Sequence, residues 1–354
     1  MPPRAEPRED PRSQYPAYPA YPAHEEPECV ESGLWRISVS LPFALRTANI
    51  YLLADSAGGW TLIDSGLGLP ADEEALRSGL ARAGVALADI SALVLTHAHP
   101  DHIGLSGLIQ SASGAPVYML AGEDERLYEV WGPNGAAAFD ATSAHYAAHG
   151  LLAGDIASGR AFQEKTRQLV RLPAAETMCR VRDGETLMLG SQRFQAFWTP
   201  GHSDYHLCLL RADGLFIAGD HILPGITPNI GLYPHARPNP LQDYFEALAR
   251  VRDLPARLVL PGHRRPFTDL AERVDALHAH HVERSALLRD ALAAHAGGAT
   301  AAMLSTALFG DRLQGADDHR FALVETLAHL EYLRAQGQAA RELRAAAWWY
   351  LPQR

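Results

Sequence analysis

The stretch Thr96-His97-Ala98-His99-Pro100-Asp101-His102-Ile103-Gly104 constrains this chain more than any other. Three imidazoles and a carboxylate fall within six positions, directly after the apolar run Ala92-Leu93-Val94-Leu95, which reads as a buried strand. Alternate residues of an extended turn point the same way. His97 and His99 can therefore grip one ion while Asp101 and His102 turn toward another. Imidazole nitrogen and carboxylate oxygen suit zinc, and also iron or manganese.

Further ligand types recur at strand ends. Trp198-Thr199-Pro200-Gly201-His202 closes one apolar run, Gly219-Asp220-His221 a second and Pro261-Gly262-His263 a third. Each sets a glycine beside a potential ligand, where the missing Cβ lets backbone approach closely. One such turn alone is usually only a turn; four in order after four strands are not. The remaining histidines read as structural. His206 sits in the strand after His202, His145 and His149 lie on a helix face, and His278, His280 and His281 fall at a domain junction where no carboxylate or cysteine is expected to complete a site.

Residues 1–28 carry eight prolines and tandem Tyr-Pro-Ala triplets, so an extended or disordered tail is expected. From Leu34 short apolar runs alternate with helical patterns, such as Ala71–Gly84, Leu105–Ser113 and Leu241–Leu254. This alternation predicts a layered α/β sandwich over residues 29–269. An Ala-rich helical insert at 122–171 interrupts it, and its Leu127, Trp131, Phe139 and Tyr146 are expected to line an apolar lid. After Asp269 helical pattern dominates, and Ala345–Leu351 reads as a terminal strand.

The order His97-x-His99-x-Asp101-His102, His202, Asp220, His263, with Asp64 in Leu62-Ile63-Asp64-Ser65-Gly66, resembles the metallo-β-lactamase-fold hydrolase superfamily. With seven ligand positions filled it resembles the dinuclear branch typified by hydroxyacylglutathione hydrolases. The tail (residues 270–354), through Asp317-Asp318-His319-Arg320-Phe321 and His329-Leu330-Glu331-Tyr332-Leu333, resembles the winged-helix domain of the members named β-lactamase-like proteins. The resemblance implies an α/β fold: an αββα metallo-β-lactamase sandwich with a small C-terminal helical, winged-helix-like domain. It implies two divalent ions, zinc first, with iron or manganese also fitting. His97, His99 and His202 would hold one, Asp101, His102 and His263 the other, and Asp220 both. Asp64 is expected to take the spare N–H of a ligand histidine. Asp101, Asp220 and His221 are the expected catalytic groups, His221 as a donor to substrate or leaving group, weighed against a packed histidine.

The implied activity is hydrolysis by a bridging hydroxide, first on a thioester or small ester. Lactone hydrolysis, phosphodiester or RNA cleavage, and a non-enzymatic winged-helix regulator are the alternatives. Charge argues against nucleic acid. The net charge is -10, and residues 270–354 hold nine Arg and no Lys against ten Asp plus Glu. No Gly-x-Ser-x-Gly elbow is present. With no long apolar run, no leader pattern and three cysteines, a soluble cytoplasmic protein acting on a small molecule is expected, without membrane partners. The tail is expected to serve packing or homodimer formation, since all the ligands precede it.

Overall fold

The first sheet runs in sequence order through β1 (Glu28–Glu31), β2 (Leu34–Ser40), β3 (Thr47–Ala54), β4 (Trp60–Ile63), β5 (Ile90–Val94), β6 (Val117–Leu120) and β7 (Met178–Val181). The structure is a computed structural model that describes residues 25–42, 45–56 and 58–353. The proline-rich stretch before residue 25 lies outside the described residues. The pairings from β1 to β4 are antiparallel and those from β4 to β7 parallel. Parallel neighbours need crossovers, and helices supply them. α1 (Pro70–Arg82) joins β4 to β5; α2 (Pro100–Ile103) and α3 (Ser106–Ser113) join β5 to β6. The insert forms α4 (Glu123–Trp131), α5 (Gly135–Ala148) and α6 (Ala153–Leu169) before β7.

The second sheet contains β8 (Thr186–Leu189), β9 (Gln192–Trp198), β10 (Leu207–Arg211), β11 (Leu215–Gly219) and β12 (Leu258–Pro261), ordered β12-β11-β10-β9-β8. Only β11 and β12 pair in parallel, and α7 (Pro240–Val251) crosses between them. There follow α8 (Leu270–Ala293), α9 (Ala301–Phe309), α10 (Ala316–Ala335) and the hairpin β13 (Ala339–Arg344) with β14 (Ala347–Pro352). Among the described residues no helix is long and apolar enough to cross a membrane.

Local chemistry explains the elements. α1 starts with Pro70 in its first turn, where a missing N–H costs nothing, and ends before Gly84 at φ +73°. Its Leu76 and Leu80, one turn apart, are buried under the sheet. Successive strand residues face opposite layers, both covered: Leu34, Tyr51, Leu53 and Ile63 meet Leu187, Phe194, Leu209 and Ile217 between the sheets. The opposite face of the first sheet packs Ile50, Leu52 and Leu93 on Leu76, Leu80 and Ile109. The outer face of the second packs Phe216 and Val259 on Tyr244 and Leu248 of α7. The layers are therefore helix, sheet, sheet, helix.

The tail packs on the sandwich: Leu277, Leu288, Leu304, Leu323, Leu327 and Tyr350 join the core of α7 and the second sheet. Leu127, Phe139 and Tyr146 of the insert are buried, Leu127 in the core of the first sheet and Tyr146 in that of α7, so these three do not line an open lid. The terminal strand has a partner, β13, that its sequence Ala-Ala-Arg-Glu-Leu-Arg hides, since those are helix-favouring residues.

Candidate metal centre

The strand directions bring all the expected ligands to one edge. β4 and β5 run parallel, and β9, β11 and β12 share one direction because β10 is antiparallel to both of its neighbours. Asp64 follows β4, the 97–102 turn follows β5, His202 follows β9, Asp220 follows β11 and His263 follows β12. Three groups result, each with ligand atoms within 4.8 Å of one another: His97, His99 and His202; His97, His102 and Asp220; Asp101, His102 and His263. Asp220 Oδ2 sits at the middle, 3.1 Å from His263 Nε2, 3.4 Å from His202 Nε2 and 3.6 Å from His102 Nε2. Asp101 Oδ2 lies 3.5 Å from His263 Nε2.

Behind four of the five ligand imidazoles a protein acceptor takes the Nδ1 proton; the fifth, His99, turns its Nδ1 to His97 Nε2 at 2.9 Å. His102 Nδ1 donates to Asp64 Oδ2 at 2.8 Å, His263 Nδ1 to the Thr47 carbonyl at 2.6 Å and His202 Nδ1 to the Asn229 carbonyl at 3.0 Å. The Thr96 hydroxyl donates to Asp64 Oδ2, so its 3.0 Å contact with His97 Nδ1 must be accepted from the ring. The Nε2 lone pairs of these four rings are thereby turned inward. Those of His102, His202 and His263, with Asp220 Oδ1, are buried and lack any hydrogen-bond partner. Buried polar atoms are rarely left so, and a set of imidazole nitrogens with carboxylate oxygens is the donor set of divalent zinc. The residues present fit metal ions. Gly262 belongs to the same cradle, because a Cβ there would come within 2.2 Å of Asp220 Oδ1.

Comparison with known proteins agrees with this geometry. The profile described as "Metallo-beta-lactamase superfamily" matches residues 44–263, and "Metallo-beta-lactamase-like, C-terminal domain" matches residues 288–352. The chain belongs to the metallo-β-lactamase superfamily. A solved metallo-beta-lactamase family protein from Thermus thermophilus is 36% identical, with TM-score 0.80 over 92% of this chain and 100% of that one. A "probable metallo-hydrolase" of Bacillus subtilis is 29% identical over 68% of this chain and 74% of its own length. A Bos taurus protein named acyl-coenzyme A thioesterase MBLAC2 is 28% identical over 68% of this chain and 80% of its own length.

Electrostatics in this superfamily site are set by burial and by mutual proximity. Burial and the neighbouring imidazoles hold His97 and His99 well below the usual histidine range. Burial pushes His102 the same way, but Asp220 and Asp64 outweigh it and raise His102 well above that range. Asp220 is held well below the carboxylate range by His263 and His102, against the opposite pull of burial.

The structure also shows which residues brace the ligands. Asp64 accepts from Thr96 N–H at 2.8 Å as well as from His102, and so ties β4 to the 97–102 turn. Glu123, 1% exposed, accepts from Ala98 N–H at 2.8 Å and Tyr205 N–H at 3.2 Å, joining the two ligand loops. Trp131 Nε1 donates to the Ala98 carbonyl at 2.7 Å. His206 Nε2 accepts from Asp220 N–H at 3.1 Å, holding that ligand's backbone. Asn49 holds the His263 turn through the carbonyls of Pro261 and Arg264. Sequence reasoning missed Glu123, Asn49 and Asn229 and gave Trp131 another role, because these contacts either end on backbone groups or, for Asn229, start from a backbone carbonyl, and neither carries a residue signature.

His221 is fully buried, with its ring edge-on to Tyr244 at 5.3 Å between centroids. The His145 and His149 rings lie 4.7 Å apart at a 58° tilt, and among the described residues neither joins a cluster able to hold a metal. His281 does find a carboxylate, contrary to the sequence expectation, since Glu325 and His329 come within 4.8 Å. That cluster is filled from within. His281 Nδ1 and His329 Nε2 lie 3.2 Å apart, and Arg284 pairs with Glu325 at 2.9 Å, setting a positive charge where a cation would sit. A cavity of about 830 Å³ opens between α4, α5 and β7, but no metal-site residue lines it.

Proposed function

We propose that this chain hydrolyses acyl thioesters using two divalent ions, one held by His97, His99 and His202, the other by Asp101, His102 and His263, with Asp220 shared. The buried, unpartnered His102, His202 and His263 Nε2 atoms and Asp220 Oδ1, gathered around the Asp220 carboxylate, carry the reading. Ions bound there supply acidity to a coordinated water and polarise a carbonyl oxygen. The chain's own part is to keep the lone pairs aimed. Asp64, Asn229 and Thr47 each retain an Nδ1 proton, so no ring has to reorient when an ion binds.

His221, considered as a donor to the leaving group, is enclosed at 0% exposure. A thiol with a pKa of about 8.5 departs as thiolate near neutral pH without a donor, whereas an alkoxide does not. The thioesterase name of the Bos taurus relative supports the same class. The test is a panel on metal-loaded protein: acyl thioesters, lactones, a chromogenic β-lactam, a bis-aryl phosphodiester and a single-stranded oligoribonucleotide. Thioesters should turn over fastest. RNA or phosphodiester cleavage outpacing every thioester would replace this reading with a nuclease.

A further inference from the structure

The carbonyl that holds His202 belongs to the loop between Asp220 and α7, and a carbonyl can orient a ring only if its own position is fixed. Residue 229 is fixed from the C-terminal helices. Glu325 Oε2 on α10 accepts from Asn229 Nδ2 at 3.2 Å, and the Phe321 carbonyl accepts from the same amide at 3.3 Å. Leu232 N–H donates to the Val324 carbonyl at 3.0 Å. From α8, Arg273 donates to the carbonyls of Leu223 at 2.6 Å and Ile226 at 2.5 Å. The loop is thus pinned at four points along its length by elements that hold no metal ligand.

Glu325 is the point that calls for explanation. It is 9% exposed, and a buried carboxylate is costly unless paired. Its carboxylate lies within 4.8 Å of ring nitrogens of His281 and His329, a polar pocket inside the core of α7 and the C-terminal helices. Its two oxygens are divided between Arg284 Nη1 at 2.9 Å and Asn229 Nδ2. Arg284 thus anchors the carboxylate, and the carboxylate in turn anchors the Asn229 side chain.

We infer that Glu325 is a positioning residue for the metal centre, acting through Asn229 on His202, so that the C-terminal helices set how firmly one of the two metal positions is held. The inference rests on the metallo-hydrolase reading above. Outer partners of ligand histidines change metal affinity by about 10–100-fold when they bond the ring directly. Glu325 acts one residue further out, so an effect of about three- to tenfold is expected.

The experiment compares full-length parent, Glu325→Ala, Glu325→Gln, Asn229→Ala and Arg341→Ala, each loaded with cobalt(II). Release to a chelator and the visible cobalt spectrum are followed beside thermal midpoints. Arg341 pairs with Glu331 in the same C-terminal segment and does not touch the loop, so it reports a purely structural lesion. Glu325→Ala and Asn229→Ala should speed one release phase three- to tenfold, leave the other unchanged and alter the spectrum. Glu325→Gln keeps an oxygen for Asn229 and should restore the parental release rate, even if the lost Arg284 pair lowers its midpoint. Arg341→Ala should lower the midpoint alone. Equal release rates and spectra for parent and Glu325→Ala would overturn the inference while leaving the hydrolase reading intact. A parent that binds no divalent ion would overturn the hydrolase reading itself.

Discussion

Asp64 performs two tasks with one carboxylate. It closes the gap between β4 and the 97–102 turn through Thr96, and it keeps His102 in the tautomer that presents Nε2. Its backbone is held at φ +60°, a left-handed conformation that aspartate tolerates better than most side chains. Asp64→Ala would leave the Thr96 N–H and the His102 Nδ1–H buried without acceptors. Each orphaned group costs about 1–3 kcal/mol, and loss of such a partner weakens metal binding by about 10–100-fold. A zinc-competition titration should show that weakening together with a lower unfolding midpoint. Unchanged zinc affinity would mean that Asp64 is only a turn residue. The sequence pointed to Asp64 through its place in the family pattern, with a turn-capping aspartate as the alternative reading. The role of Asn229 was not legible, because the group that meets His202 is a carbonyl that any residue offers.

At the scale of elements, the sequence was clearest where local pattern and tertiary need coincide. β4 is bounded as Trp60–Ile63 by both, since Gly58 and Gly59 stop the strand before it and Asp64 ends it. β7 and β13 escaped because neither has a β-rich pattern; they are strands by virtue of the neighbours that pair with them. The insert helix α4 shows the same limit. Its composition suggested a lid, yet its first residue, Glu123, braces two ligand loops. Burial pushes the Glu123 carboxyl up to about 7, with Asp204 adding to the effect and the backbone donors opposing it. Between about pH 4.3 and pH 7 the folded chain therefore binds a proton here that the unfolded chain has released. Stability from this group is greatest below that window and is lost as pH rises through 7. Glu123→Gln cannot titrate, and it turns an amide donor toward an N–H. It should cost about 1–3 kcal/mol and flatten the difference profile. Denaturation midpoints of parent and variant, measured from pH 5 to pH 8 with metal present, check this. A constant offset across the range would show that Glu123 does not titrate there.

For the whole molecule, the decisive fact is that the second sheet has no complete cover without the tail. Leu277, Leu288, Leu292, Leu304, Leu323, Leu327 and Leu330 are each almost completely buried, in one core with Phe216, Val259, Tyr244 and Leu248. At about 1.5–3 kcal/mol per fully buried side chain, these leucines alone contribute on the order of 10 kcal/mol. That is comparable to the whole stability of a typical domain, about 5–15 kcal/mol. All seven candidate ligands precede Asp269, so counting ligands along the sequence makes the tail look dispensable for chemistry. Packing reverses that expectation. A chain ending at Asp269 would expose the apolar faces of α7 and the second sheet, and it would release the loop that carries Asn229. It should be aggregated or molten, and what remains soluble should hold fewer ions than the parent. Size-exclusion chromatography with elemental analysis of the monomer fraction decides the point. A monodisperse truncated chain with the parental metal content would show that the sandwich stands without its C-terminal helices.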